Sequence, residues 1–444
     1  MPERPGFGLV RPVNADSGAR GEPDRPALKA KTIVQKFGGS SLASPELREI
    51  AASRVLEARQ RGASPVVICS ALGRAPEPYA TDSLLALLGP SRGGPNRDLL
   101  ISCGEAIACA VFAELLTAWG ADAQAMTGGQ AGIITDANFG DAKILRVAPE
   151  HVFRLLERGI IPVVAGFQGV TETGAVTTLG RGGSDLSAIA LGDALGSETV
   201  EIFTDVSGVM TGDPRRIAGA HTIDRVSYAE MVELAADGAK VMHAKAAELA
   251  RVTQTPYVVK GLRSNFGSTI DEGHKPNESK PVTGITSLRD VVFIRVIQGE
   301  IDDLEARRQL ELEIFGRAAE SDVSVDMINV NNAGVFFIVD TCDLETIRRV
   351  FAGLNLALRV RTNCAKISIV GAGMRGVSGV MYRVVQALSE AEVEIIHSTD
   401  SNITISVLVP EEDVARAEQA IHDYFRLGRG QDATPPEMVA GAPR

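Results

Sequence analysis

A chain of 444 residues is longer than one compact hydrophobic core usually serves, so two or three domains are expected. With 45% hydrophobic and 23% charged residues it has the composition of a soluble globular protein, and its apolar runs read as too short for a membrane span. A formal charge of −11 argues against a nucleic-acid partner, which would demand a basic surface, and leaves small molecules or proteins.

Residues 1–29, rich in Pro, Gly, Arg and Asp, lack apolar periodicity and read as a flexible extension without the apolar segment of a secretory signal. From Lys31 to about Ser264, short β-branched runs alternate with helical patterns. TIVQKF precedes a helix from Pro45; SPVVICS precedes one near Asp98 to Trp119; IIPVVAG, a helix from Ser184 and VEIFTD follow. This alternation predicts an α/β domain over 30–265, a mainly parallel sheet sandwiched by helices, with ligands at the carboxyl ends of its strands. Polar residues 266–282, punctuated by Gly and Pro, read as a linker. Residues 283–361 and 364–429 then each read as strand, helix, strand, strand, helix, a weak duplication of a small α+β unit. Such a tandem suggests regulation or assembly, and a Pro/Ala/Gly-rich flexible tail is expected over 430–444. Cys69, Cys103, Cys109, Cys342 and Cys364 have no metal-ligand spacing and read as buried small hydrophobes in a reducing, cytoplasmic compartment. The six histidines show no metal or catalytic clustering, and no metal-ligating residue is assigned.

The stretch TTLGRGGSDLSAIALGD, Thr177 to Asp193, joins a glycine turn, a cation and a helix start. Gly182 and Gly183 permit close backbone approach, Arg181 supplies a planar cationic fork, and Ser184 and Asp185 open an apolar helix whose amide dipoles favour an anion. An ordinary capped helix would carry the same signs. TIVQKF ends in Gly38, Gly39 and Ser40, which sets Lys36 beside a turn able to present amides to phosphate oxygens; a plain strand-to-helix turn has the same pattern. TDVSGVMTGDPRRI, residues 204–217, follows VEIF as a loop suited either to nucleotide contact or to a solvated turn. GAKVMHAKAAELA reads as a helix starting at Gly238, with Lys240 in its first turn, where a cation opposes the dipole and a phosphate partner would explain it. KISIVGAGMRG matches GxGxxG and raises a dinucleotide-binding alternative. Too little chain follows, no ribose-binding acid ends the next strand, and the sister block lacks the glycines, so a Gly turn facing a small ligand or another subunit is the better reading.

KFGGSS, ATDSLL, SCGE, TDANFGDAKI, VVAGFQG, LGRGGSD, TDVSGVMTGDPR, SYAEMVELAADGAKV and the paired ends VSVDMI and VGAGMRGVSGV occur in this order, and together the chain resembles the aspartate kinases of the amino acid kinase superfamily from about Lys31 to Phe425. The resemblance implies an amino acid kinase fold followed by two ferredoxin-like ACT domains. It also implies transfer of the γ-phosphoryl of ATP to the side-chain carboxylate of L-aspartate, with Mg²⁺ bridging the phosphates. That reaction opens lysine, threonine and methionine (diaminopimelate) biosynthesis, under feedback by an end product.

Carried onto this sequence, Lys36 and Lys240 attend the transferring phosphoryl group and Asp185 organises them. Thr81, Glu105, Arg181 and Ser184 hold aspartate. Gly38, Gly39, Ser40, Thr204, Asp205, Met210 and Arg215 join Lys36 and Lys240 around ATP, and Asp326, Met327, Ser398, Thr399 and Asp400 are the effector contacts. The implied partners are an amino-acid effector (lysine, threonine or diaminopimelate) and further copies of the chain paired through the ACT-like units, with neither nucleic acid nor membrane. Ser40 stands where Thr is usual, Met210 replaces a frequent Tyr, His243, Ala244 and Lys245 replace a Pro-Arg pair, and VVKGL replaces an Arg-rich strand. Two other readings remain, a kinase for another small acid and a catalytically idle amino-acid sensor, which would lose the acceptor pocket and a lysine, respectively.

Overall fold

The computed structural model describes residues 31–89, 93–239, 241–272, 280–297, 304–331, 333–352, 354, 357–374 and 376–428. The extension 1–29, the tail 430–444 and Lys240 lie outside the described residues. The described chain divides into two units, one drawn from 31–209, 222–236 and 241–272, the other from 210–221, 237–239 and 280–428.

In the first unit the elements in chain order are β1 (Thr32–Phe37), α1 (Pro45–Gln60), β2 (Ser64–Cys69), α2 (Thr81–Leu85), α3 (Pro95–Ala118), β3 (Ala123–Met126), β4 (Ile133–Thr135) and β5 (Ile144–Val147). They continue through α4 (Glu150–Glu157), β6 (Ile161–Ala165), β7 (Gln168–Thr171), β8 (Val176–Thr178), α5 (Gly183–Leu195), β9 (Thr199–Thr204), β10 (Arg225–Val226), α6 (Tyr228–Ala236), α7 (Ala244–Thr253), β11 (Tyr257–Gly261) and β12 (Gly267–Ile270).

The main sheet runs β10-β12-β11-β9-β1-β2-β6-β3, parallel except where β11 meets β12. β1 is buried along its whole length, as a central strand covered on both faces must be. Its period of two sends Phe37 to one face, where it stacks on Phe203 at 4.7 Å and joins the core under α1 and α3. Lys36 is thereby sent to the other face, toward α5. Because β1 pairs with β2 on one side and β9 on the other, the strand order reverses at β1, and a crevice opens beyond these carboxyl ends. A smaller sheet, β5-β4-β7-β8, flanks it.

The second unit holds β13 (Gly284–Ile297), α8 (Leu304–Glu320), β14 (Asp326–Asn331), β15 (Gly334–Asp340), α9 (Leu344–Phe351), β16 (Ala357–Val370), α10 (Val380–Glu390), β17 (His397–Asp400), β18 (Thr404–Pro410) and α11 (Val414–Tyr424). Its sheet runs β14-β15-β13-β16-β18-β17. The last part of β13 with β15 and the first part of β16 covers one core, containing Val292, Ile294, Ile314, Phe337 and Ile347. The first part of β13 with the end of β16 and β18 covers another, containing Ile285, Ile367, Val384, Val407 and Ile421.

Several expectations need correction. The linker expected from 266 contains β12, whose alternating buried Ser268 and Ile270 complete the first sheet. The two α+β repeats are not sequential beads split between 361 and 364. β13 and β16 each pass through both, with pairing irregularities near Leu288 and Val291 that turn the strands from one core to the other. α7 starts at Ala244 with His243 as its cap, not at Gly238, so the first-turn argument for Lys240 does not hold. α3 is long and apolar enough to cross a membrane by length and composition, contrary to the reading of short runs. It packs Ile101, Ala108, Phe112 and Leu116 inward, as a core helix does. Cys69, Cys109 and Cys364 are buried, whereas Cys103 and Cys342 are exposed; all five are free thiols. GxGxxG opens a single 3₁₀ turn, Ala372–Met374, and not an α-helix. A side chain at Gly371 would collide with the Pro281 carbonyl, and α10 begins only at Val380, so this glycine serves close backbone packing.

Candidate active site

Several segments of the first unit converge at the carboxyl ends of β1, β2 and β9 to line a cleft of about 550 Å³. Lys36, Gly38, Gly39 and Ser40 come from β1 and its turn, Thr81 from the start of α2, Glu105 from α3, and Arg181, Ser184 and Asp185 from the turn into α5, with Thr204 at the end of β9. These positions, far apart in sequence, become one surface.

The ammonium of Lys36 lies 2.6 Å from Asp185 Oδ1, both side chains nearly buried. Asp185 sits in the first turn of α5, where the dipole favours its charge. The helix is capped by Gly182 in the left-handed conformation, and neither Ser184 nor Asp185 supplies the side-chain cap that the sequence suggested. Gly39 must be glycine, because a β-carbon there would press on the Ala71 and Gly73 carbonyls, and the Gly73 amide donates to the Gly39 carbonyl at 3.1 Å. Arg181 is exposed and has no ion-pair partner among the described residues.

Glu105 is buried. The Ala71 amide donates to its Oε1 at 3.2 Å, while Oε2 has no partner among the described residues. Burial pushes its carboxyl up to about 8, which the helix and Ala71 amides only partly oppose. A cation arriving in the cleft would meet an unsatisfied acceptor. One helical face explains its placement: Asp98, Ile101, Ser102, Glu105 and Cys109 recur at helical spacing and all point inward.

Asp98 was not singled out from the sequence. It is fully buried, and its Oδ2 accepts from the Gly140 amide at 2.8 Å and the Thr178 amide at 2.7 Å, tying α3, the 136–143 loop and β8 together beside the cleft. The available signal was an acid two turns before Glu105 on an otherwise apolar helix face. Arg74, Asp82 and Arg97 also line the cleft without having been named.

Asp205 is exposed, accepts from the Thr204 hydroxyl at 3.2 Å and pairs with Arg74 at 3.1 Å. Met210 and Arg215 fall in the 210–221 segment of the second unit and are not among the cleft-lining residues; Arg215 forms a two-bond fork with Asp213. That fork holds the Asp213 carboxyl below its ordinary range. The same segment is fastened to α11. Arg216 Nε approaches Glu418 Oε2 at 2.7 Å, the Ala218 amide donates to Gln419 at 2.7 Å, and Thr211 bonds His422 at 3.0 Å.

Among the five effector candidates, Asp326 and Met327 begin β14 and Ser398, Thr399 and Asp400 lie on β17, at opposite edges of the sheet. His397 Nε2 lies 3.1 Å from the Met327 carbonyl, so curvature brings the two edges together. Asp326 is not free: Lys366 Nζ lies 2.7 Å from it and 2.8 Å from Asp237.

A lysine–carboxylate pair beside a glycine turn, an arginine without an ion-pair partner among the described residues and a buried acceptor have the chemistry to receive a phosphorylated ligand next to a small zwitterion, at the place an α/β sheet reserves for ligands. The amino acid kinase family profile matches residues 31–261, and an ACT domain profile matches 367–425. Aspartokinase 1 of Bacillus subtilis is 41% identical over 408 residues, covering 90% of this chain and all of that protein. The aspartokinase of Corynebacterium glutamicum is 37% identical, covering 90% of this chain and 97% of its own. Escherichia coli aspartokinase III, solved with lysine and aspartate in its T-state, superposes with a TM-score of 0.69 at 25% identity, over 89% of this chain and 99% of that one. The same enzyme solved with aspartate and ADP shares the fold with a TM-score of 0.73 at 24% identity, over 89% and 99% of the two chains. The chain belongs to the amino acid kinase family, in its aspartokinase branch.

Proposed function

We propose that the cleft transfers the γ-phosphoryl of ATP to the side-chain carboxylate of L-aspartate, forming 4-phospho-L-aspartate and ADP. A carboxylate oxygen bonds to the γ-phosphorus as the bond to the β,γ-bridging oxygen breaks. No general base is required, because the acceptor is already ionised near neutral pH. The obstacle is repulsion between two anions, and the observation that carries the reading is the Lys36–Asp185 pair set between the Gly38–Gly39 turn and Arg181.

In this reading Lys36, joined by Lys240, neutralises the transferring group, and Asp185 holds the ammonium of Lys36 in place. Arg181 clamps the acceptor's carboxylate, Thr81 and Ser184 donate hydroxyl hydrogen bonds, and Glu105 receives the ammonium. Gly38, Gly39, Ser40, Thr204, Asp205, Met210 and Arg215 attend ATP. The donor set suits Mg²⁺ carried by the nucleotide: Asp82 and Asp185 offer carboxylate oxygens at the cleft, and Asp185 is already committed to Lys36, leaving most ligands to phosphates and water. When bound, the ion screens phosphate charge.

The ACT-like second unit supports feedback by an amino acid (lysine, threonine or diaminopimelate) at Asp326, Met327, Ser398, Thr399 and Asp400, and assembly of copies of the chain. Five free thiols accord with a reducing cytoplasm. ATP consumption is to be measured with aspartate, glutamate and acetylglutamate as acceptors, each with and without the three candidate effectors. Turnover that depends on aspartate alone is expected; ATP hydrolysis indifferent to aspartate would refute the reading.

A further inference from the structure

The turn that carries Arg181 is held from both sides by residues with no part in the chemistry. Gly180 and Gly182 are both left-handed, with φ of 72°. A side chain at Gly180 would collide with the Asp141 carboxylate, and one at Gly182 would collide with the β-carbon and ring of His243. Asp141 and His243 therefore sit directly against the two glycines flanking Arg181. They are also joined to each other, since Lys245, two residues beyond His243, reaches back to Asp141 with Nζ 2.5 Å from Oδ1.

Both ends of this span are anchored. Asp141 follows Gly140, whose amide is bound by the buried Asp98; the Asp141 carbonyl accepts from Asn138 Nδ2 at 2.9 Å, and Ala142 donates to the Thr178 carbonyl at 2.9 Å. His243 caps α7, its Nδ1 accepting from the Lys245 amide at 3.3 Å, so the ring is neutral with its proton on Nε2. Burial first, and Lys245 next, keep that ring below its ordinary pKa, with Asp185 and Asp141 opposing.

We infer that Asp141, His243 and Lys245 form an ion-paired strap across the Gly180–Gly183 turn, and that as positioning residues they set how tightly Arg181 grips the acceptor's carboxylate. The inference rests on the proposed role of Arg181. A floppy turn would cost acceptor affinity, because the guanidinium must be ordered each time substrate binds, and would leave the ATP side untouched.

The test measures kcat, both KM values and the unfolding midpoint for D141N, K245M and the exchanged pair D141K/K245D, with R181A as reference. An exposed ion pair is weak, so each single variant is expected to raise the aspartate KM about threefold to fivefold at low salt, with kcat and the ATP KM within about twofold. The increase should shrink in high salt, and the exchanged pair should recover most of it. H243N, which can still cap the helix, should retain its stability yet raise the aspartate KM, since the ring over Gly182 is gone. Aspartate KM values unchanged in both single variants, or no recovery in the exchanged pair, would overturn the strap. If R181A itself leaves the aspartate KM unchanged, the reading of the acceptor site fails instead.

Discussion

Lys36 and Lys366 are both buried lysines on central strands, and each lies within 2.8 Å of a carboxylate, yet their surroundings differ in one respect. Lys36 faces a single acid, Asp185, and opens onto a cleft with glycine turns. Lys366 is held between two, Asp237 and Asp326. Burial opposes its charge, but the two carboxylates outweigh that and hold its ammonium above the ordinary range. A lysine balanced by one carboxylate can still turn toward an arriving phosphate; one shared by two is saturated and serves to fasten strands and loops. In the proposed reaction the same side chain is an instrument of chemistry in the first unit, and it fastens strands and loops in the second.

Replacing each lysine should therefore damage different properties. Lys36→Ala is expected to lower kcat by about a thousandfold or more, since charge stabilisation at the transferring group is lost in a water-poor site, while the fold survives with a smaller loss of stability than for Lys366, because the dipole of α5 still favours the Asp185 charge. Turnover assays beside a melting curve decide this, and an active variant would remove Lys36 from the catalytic assignment. Lys366→Met should do the reverse, destabilising the second unit by about 3–5 kcal/mol because Asp237 is left buried without a counter-ion. Urea unfolding followed by two probes would reveal it, and the double variant with Asp237→Asn should recover part of the loss.

Glu105 extends the comparison to a buried acid with no cation at all. Its carboxyl titrates near 8 when folded against an ordinary 4.5, so the folded protein holds a proton that the unfolded chain releases. Ligand-free stability is then greatest below about pH 4.5 and falls as pH rises toward 8. Glu105→Gln should flatten this fall. If Glu105 receives the ammonium as proposed, aspartate binding should have the opposite slope, strengthening toward pH 8 as Glu105 ionises. The Gln variant should show an aspartate KM raised about tenfold or more, with little pH dependence. Stability and KM profiles across pH 5–9 check both signs; identical profiles for the two proteins would exclude Glu105 from the ammonium site.

Much of the architecture was legible because it depends on local patterns. Alternation of β-branched runs with helical periods announced the parallel sheet, and TIVQKF followed by two glycines announced a tight turn at the end of the strand, since only small residues allow the Gly39 turn to pass the Ala71 and Gly73 carbonyls. Lys36, Glu105, Arg181 and Asp185 were named from such patterns together with a family resemblance, and they line one cleft. Other features depended on partners distant in the chain. No spacing discloses that Asp98 will bind the amides of Gly140 and Thr178, that Lys245 will reach Asp141, or that 210–221 will fasten to α11 through Arg216 and Glu418.

By itself, then, the amino-acid order determined which residues could make turns, helices and an anion-favouring helix start, because those preferences are set within a few bonds of each side chain. Only the tertiary structure decided that β13 and β16 would be shared by two repeats, that α7 would start at His243, and that Glu105 would hold its proton to about 8. Each of these depends on packing, desolvation or pairing between groups far apart in sequence, and those energies exist only once the chain has brought them together.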